Sequence, residues 1–123
     1  MRRPPRAKVR TPKQQTGDAA EARAAAHLKG QGIFIVGQNV RVGRDEIDLV
    51  CDDGDVVVFV EVRARAVLKD ALESVTTAKQ QRVCRAAVQY LGPQLNTRFV
   101  RFDVVAVADD GVVHIKDAFR PPS

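Results

Sequence analysis

Cysteine is scarce: Cys51 and Cys84 are the only two in 123 residues. They lack metal-type spacing and are too few for a disulfide framework, so buried free thiols in a cytoplasmic protein are expected. No apolar run approaches the roughly 20 residues of a membrane helix. The basic start is followed by polar residues rather than a signal-peptide core, so no membrane association is expected. Internal repeats, a Walker-type phosphate loop and a dinucleotide glycine pattern are all missing. Acids are missing from residues 1–16, where Arg2, Arg3, Arg6, Lys8, Arg10 and Lys13 carry +6 against a net charge of +5 for the whole chain. The remainder is nearly neutral. With Pro4, Pro5 and Pro12, residues 1–16 read as a disordered basic tail, one that touches phosphates or serves solubility. A single domain at 17–119 and a short C-terminal tail at 120–123 complete the expected organisation, and 45% hydrophobic content supports a real core.

What is present centres on two apolar runs, Asp45 to Cys51 and Val56 to Arg65, joined by Asp52-Asp53-Gly54-Asp55. Asp-Gly between such runs predicts a β-hairpin, because glycine supplies the positive φ of a tight turn. With Asp53-Gly54 as the loop, Val50 opposes Val57, Asp48 opposes Phe59 and Glu46 opposes Glu61. Glu46, Asp48, Phe59, Glu61 and Arg63 then share one face, with Asp48 and Glu61 as diagonal neighbours. Val56 to Val62 is apolar on both faces, as in a buried central strand, where Glu61 is costly without a partner. Two crowded carboxylates suit Mg²⁺ or Mn²⁺. The plainer alternative is a structural pairing with nearby arginines.

Around the hairpin, a helix is predicted from Asp18 to Lys29, with Asp18 and Glu21 at capping-box spacing and Gly30 as its stop. Ala24, Ala25 and Leu28 form its apolar stripe. Glu21 lies on the same face, as a cap residue or as part of a site. Residues 33–36 read as a short strand, with Asn39 in a turn and Arg41 at the surface; residues 65–75 read as a connection. A second helix runs from Thr76 or Thr77 to Leu91, ended by Gly92-Pro93, with Val83, Ala87, Tyr90 and Leu91 inward. Lys79 leans toward that face from the first turn, where an anionic neighbour is worth expecting; Arg82, Arg85 and Gln89 are expected to face water. Strands at 100–108 and 112–116 follow, joined by Asp109-Asp110-Gly111. Asp103 is read as a structural partner of Arg101, while His27 and His114 have no ligand-like spacing. The predicted fold is α/β, a mixed central β-sheet flanked by helices in the order α-β-β-β-α-β-β.

One acid on the first helix, one on a hairpin strand and Glu-x-basic on the next strand resemble the restriction-endonuclease-like superfamily. More closely, the chain resembles the YraN-like family of small bacterial proteins, whose relatives include Holliday-junction resolvases. The segments that carry this are 17–28 with Glu21, Asn39-Val40-Arg41, Glu46 to Val50, Phe59 to Arg63, Lys79 with Arg82, Tyr90-Leu91, and Arg101 to Val104. The resemblance implies that Asp48 and Glu61 bind Mg²⁺ or Mn²⁺, helped by the Val62 carbonyl, with Glu21 binding metal through water or positioning the nucleophile. Arg63 completes the catalytic set, and Lys79, Arg41 and Arg65 are the candidate nucleic-acid contacts. The implied partners are DNA and a second copy of the chain, since paired cuts need two symmetric sites.

The chain departs from the family pattern at two positions. Arg63 stands where the pattern has lysine, keeping the charge but not losing a proton near neutral pH. Asp45 stands where the pattern has glycine. The two function classes are therefore a metal-dependent DNA endonuclease and a non-catalytic nucleic-acid-binding module on the same fold; a protein-interaction domain is a third. Divalent-metal binding at Asp48 and Glu61 separates them.

Overall fold

The computed structural model describes residues 12–121, with side chains from residue 17. The expected basic tail lies outside the described residues up to residue 11; residues 12–16 belong to the first helix. The elements are α1 (Pro12–Gly30), β1 (Phe34–Val42), β2 (Asp45–Asp53), β3 (Val56–Ala64), α2 (Leu68–Glu73), α3 (Thr77–Leu91), a 3₁₀ turn (Gly92–Asn96), β4 (Phe99–Ala108) and β5 (Gly111–Phe119). One five-stranded sheet runs in the order β1-β2-β3-β4-β5. All pairings are antiparallel except β3 with β4, which is parallel and reached through α2 and α3.

Helices cover both faces of the sheet. Ala20, Ala24 and Leu28 of α1 pack on Leu49, Cys51, Val58, Val60, Val105 and Val107. Val83, Cys84, Ala86, Ala87 and Leu91 of α3 pack on Val50, Val57, Phe59, Phe102 and Phe119. That double cover explains why β3 is apolar on both sides. Tyr90, expected inward, is 40% exposed, yet its ring meets Phe59 edge-on at 5.8 Å.

Several expectations need correction. α1 starts at Pro12, not Asp18, so Asp18 lies inside the helix and forms no capping box with Glu21. Proline suits a first helical turn, whose N–H groups have no intrahelical acceptor. The 65–75 connection contains the short helix α2. The β2–β3 loop is Gly54-Asp55, since Asp53 pairs with Val56 and Val50 with Phe59. Gly54 has φ +64° and Asp53 is not among the positive-φ residues, so the turn puts its left-handed residue first and excludes Asp53 from the loop. Gly43, φ +60°, does the same between β1 and β2. Because this register differs from the expected one by two positions, the paired residues of β2 and β3 keep their predicted faces; Ile47, beyond the last pair, does not. Asn39 is in no turn: it lies within β1 at φ +51°.

Candidate metal and nucleic-acid site

The β2–β3 ladder is paired from Asp53–Val56 to Leu49–Val60, and one step further stand Asp48 and Glu61. Their carboxyl groups meet in a hydrogen bond just beyond the last paired residues. Asp48 Oδ2 accepts the Val62 N–H at 2.8 Å, so a carboxylate replaces the ladder where the strands part. Ile47 packs on the α3 side although Leu49 packs on the α1 side, so β2 departs from strict alternation here.

This position is electrostatically strained. Burial, then the Glu61 charge, pushes Asp48 up to about 7, against the Val62 N–H. Glu61 is also raised, by burial first, although Arg63, Lys79 and a hydrogen bond with Asp48 oppose the rise. Two carboxyl groups that hydrogen-bond each other while largely desolvated share a proton or need a cation. Glu21 reaches the same corner from α1. Burial raises it first, the Asp48 charge adds to this, and the Asn39 side-chain amide opposes it by hydrogen bonding. Positive φ at Asn39 thus belongs to a residue that supports Glu21, a contact no local sequence signal announced.

Arg63 is held between two partners. Its Nε donates to Ser74 Oγ at 2.8 Å, and Nη1 lies 3.4 Å from Glu61 Oε1. A cavity of about 240 Å³ on the α3 side is lined by Glu61, Arg63, Lys79 and Arg82 among others. A second, of about 340 Å³ on the α1 side, is lined by Glu21, Val62, Arg63 and Arg65. Burial, then Arg63 and Arg65, holds the Lys79 ammonium below its ordinary range. The expected anionic neighbour exists in Glu61, whose charge opposes that lowering. Arg41 is less engaged: its side chain is 69% exposed and lies 3.9 Å from Glu46.

Asp45 and Arg85 form a two-pronged pair at 3.0 Å for both bonds, tying the start of β2 to α3. Arg85 faces water as expected, its side chain 56% exposed, and it also has Asp45 as a partner. The extra acid at Asp45 is neutralised by it and held below the usual carboxylate range, chiefly by that hydrogen bond.

The two histidines, without ligand-like spacing in sequence, are joined through Gln31. His27 meets Gln31 at 3.0 Å, and Gln31 meets His114 Nδ1 at 2.8 Å. His114 Nε2 then meets Asp103 Oδ2 at 2.7 Å. Spacing could not reveal them, because the chain of bonds joins α1, β5 and β4. Asp103 and Arg101 pair as expected, at 2.8 and 2.9 Å.

Among the described residues no group of three or more His, Cys, Asp or Glu side chains gathers as a metal cluster. Asp48 and Glu61 offer two hard oxygen donors from adjacent strands, and this donor set fits a Mg²⁺ or Mn²⁺ ion that keeps several waters. No helix among the described residues is long and apolar enough to cross a membrane.

A mixed sheet clad by helices on both faces, with paired acids where two strands part and cations around them, defines a small α/β protein. The chain belongs to the YraN-like family: residues 20–107 match the family described as "Uncharacterised protein family UPF0102". It is 44% identical over 117 residues to a UPF0102 protein of Halorhodospira halophila, covering 94% of this chain and 95% of that protein. It is 44% identical over 115 residues to one of Alkalilimnicola ehrlichii, covering 90% and 91%. A third, of Janthinobacterium sp. (strain Marseille), is 41% identical over 122 residues, covering 98% and 99%.

Proposed function

We propose that the chain is a metal-dependent endonuclease that hydrolyses phosphodiester bonds of branched or damaged DNA, in the cytoplasm and as a homodimer. The observation that carries this reading is the meeting of Asp48 and Glu61 at the end of the β2–β3 ladder, both raised first by burial and Asp48 also by the Glu61 charge. Such a pair is unfavourable for folding alone and favourable for holding a divalent ion. Bound there, Mg²⁺ or Mn²⁺ would supply a Lewis acid for a phosphoryl oxygen and lower the pKa of a water.

The chain's own residues divide the remaining work. Asp48 and Glu61 hold the ion by their carboxylate oxygens. Glu21, on the α1 side, accepts a proton from water at its carboxylate and orients that water for in-line attack. The Arg63 guanidinium faces the charge that develops on the phosphoryl oxygens. Lys79 on one side and Arg65 on the other bind the flanking phosphates, and Arg41 extends the track. These phosphate contacts position DNA without reading its sequence.

A second reading has its own support. The guanidinium of Arg63 is already engaged by Ser74 and Glu61, which suits a binding module that no longer cleaves. Calorimetry with Mn²⁺, run beside cleavage assays on branched and single-stranded DNA, decides between them. Arg63→Lys restores a titratable amine two residues from Glu61 on the same face. It should raise metal-dependent cleavage at least about tenfold, general acid–base groups being worth roughly 10²–10⁴. Glu61→Ala in that background should abolish cleavage. If wild type, Arg63→Lys and the double mutant all leave every DNA uncut, the nuclease reading fails and the binding module stands.

A further inference from the structure

Two adjacent strands each carry an arginine two residues from an acid: Glu61 and Arg63 on β3, Arg101 and Asp103 on β4. Alternation puts both members of each pair on one face, where a closed two-pronged ion pair is the ordinary outcome. On β4 the pair is closed, with Nε–Oδ1 at 2.8 Å and Nη2–Oδ2 at 2.9 Å. On β3 it is open, with one contact of 3.4 Å between Arg63 Nη1 and Glu61 Oε1. Solvent does not explain the difference, since the Arg63 and Glu61 side chains are only 15% and 12% exposed. What differs is the nitrogen that a third group takes: Asp53 holds Arg101 at Nη1, 3.0 Å away, and leaves Nε and Nη2 for Asp103, whereas Ser74 holds Arg63 at Nε. The Ser74 hydroxyl donates to the Ala71 carbonyl at 2.6 Å, so its lone pairs face Arg63, whose Nε donates to it at 2.8 Å. Ser74 caps the C-terminal end of α2, and Ala71 is fully buried, so the hydroxyl is fixed by the helix rather than free to follow the arginine.

We propose that Ser74 is a positioning residue that holds Arg63 off Glu61 and so keeps the Glu61 carboxylate open to the divalent ion shared with Asp48. The proposal rests on the metal reading above. Released from Ser74, the guanidinium rotates into the two-pronged geometry seen on β4 and occupies both Glu61 oxygens. A cation then has to displace it. With Ser74 in place, Arg63 supports Glu61 from one side and leaves the face toward Asp48 available.

The test uses the full-length protein and Mn²⁺. Ser74→Ala should weaken Mn²⁺ binding about tenfold or more, the range for losing an outer-shell partner being roughly 10–100-fold. Ser74→Thr, which keeps the hydroxyl, should retain wild-type affinity. In an Arg63→Gln background, Ser74→Ala should leave Mn²⁺ affinity unchanged, because no guanidinium remains to be released. A metal-free measurement runs beside these: a double-mutant cycle of Glu61→Gln with Arg63→Gln, read by melting, in wild type and in Ser74→Ala. The coupling between Glu61 and Arg63 should be small with Ser74 and larger without it. Coupling that Ser74→Ala leaves unchanged overturns the proposal, as does equal Mn²⁺ affinity in wild type and Ser74→Ala. Coupling that grows while wild type takes up no Mn²⁺ overturns the metal reading instead and leaves the clamp in place.

Discussion

Asp48→Asn is expected to raise the melting temperature of the metal-free protein at pH 8 and to remove the stabilisation that Mn²⁺ confers on wild type. Both effects come from the same crowding. Asp48 is pushed up to about 7 by burial and by Glu61. The unfolded chain therefore releases this proton at lower pH than the folded one does. Between the ordinary aspartate range and about 7 the folded state holds more protons, so stability falls as pH rises through that window and levels off above it. Asparagine removes the charge but keeps an oxygen for the Val62 N–H, now held by Asp48 Oδ2 at 2.8 Å. The gain should be about 1–2 kcal/mol, the upper part of what single stabilising changes deliver. At 100 times its dissociation constant, Mn²⁺ should stabilise wild type by about 2.7 kcal/mol. The variant, one carboxylate short, should show almost none of this. Melting curves at pH 5 and pH 8, with EDTA and with Mn²⁺, measure all four quantities. An Asp48→Asn protein that melts lower than wild type in EDTA at pH 8 would mean that the carboxylate pair supports the fold.

The candidate site was legible in sequence for a reason of parity. The β2–β3 loop lies one residue later than Asp-Gly suggests, yet the paired residues keep their faces, because the register changed by two and side chains alternate with period two, so Asp48 and Glu61 still meet at the end of the ladder. Apolar runs of the right length located β3, α3 and β4, since these elements bury their side chains and leave a continuous signal. The parts that escaped have short or composite signals. α2 is six residues long, too short for helical periodicity to show. α1 begins before its apolar stripe, at Pro12, where only backbone geometry marks the start. Asn39 beside Glu21, Ser74 beneath Arg63 and His114 on Asp103 are each defined by a partner on another element. Their sequence neighbourhoods hold no trace of that partner. Polar residues of this kind are the ones that tune a site, so the carboxylates could be read and their orientation could not.

The largest loss of stability should come from a residue outside the candidate site, Asp103. Its side chain is fully buried in β4 and hydrogen-bonded on every side. Arg101 grips both oxygens, His114 Nε2 lies 2.7 Å from Oδ2, and the Asp117 N–H donates to Oδ1 at 3.0 Å. The last contact is architectural. The β4–β5 register shifts between Phe102 and Val104, and Asp117, opposite this irregularity, has φ +54°. A left-handed non-glycine residue costs about 1–2 kcal/mol and persists only where its surroundings fix it. Here the Asp103 carboxylate fixes it by taking its N–H. Asp103→Ala leaves the Asp117 N–H, the His114 ring nitrogen and part of the Arg101 guanidinium without their buried acceptor. Removing one partner of such a network costs about 3–5 kcal/mol, or about 10–25 °C in melting temperature for a domain of this size. Asp103→Asn should cost less, because its amide oxygen still accepts. Acid should reproduce part of the loss. Burial alone would raise the Asp103 carboxyl, but Arg101, the Asp117 N–H and His114 outweigh it and hold it below the ordinary aspartate range. The unfolded chain then takes up this proton first, so the stabilisation is complete above the ordinary aspartate value and is lost as pH falls below it. Wild type should therefore melt progressively lower below about pH 4, with a slope that Asp103→Asn reduces. Because Asp103 lines neither cavity beside the carboxylate pair, Asp103→Asn should still bind Mn²⁺ with wild-type affinity at temperatures where it is folded. Loss of Mn²⁺ binding in the folded variant would join the two networks and contradict their separation.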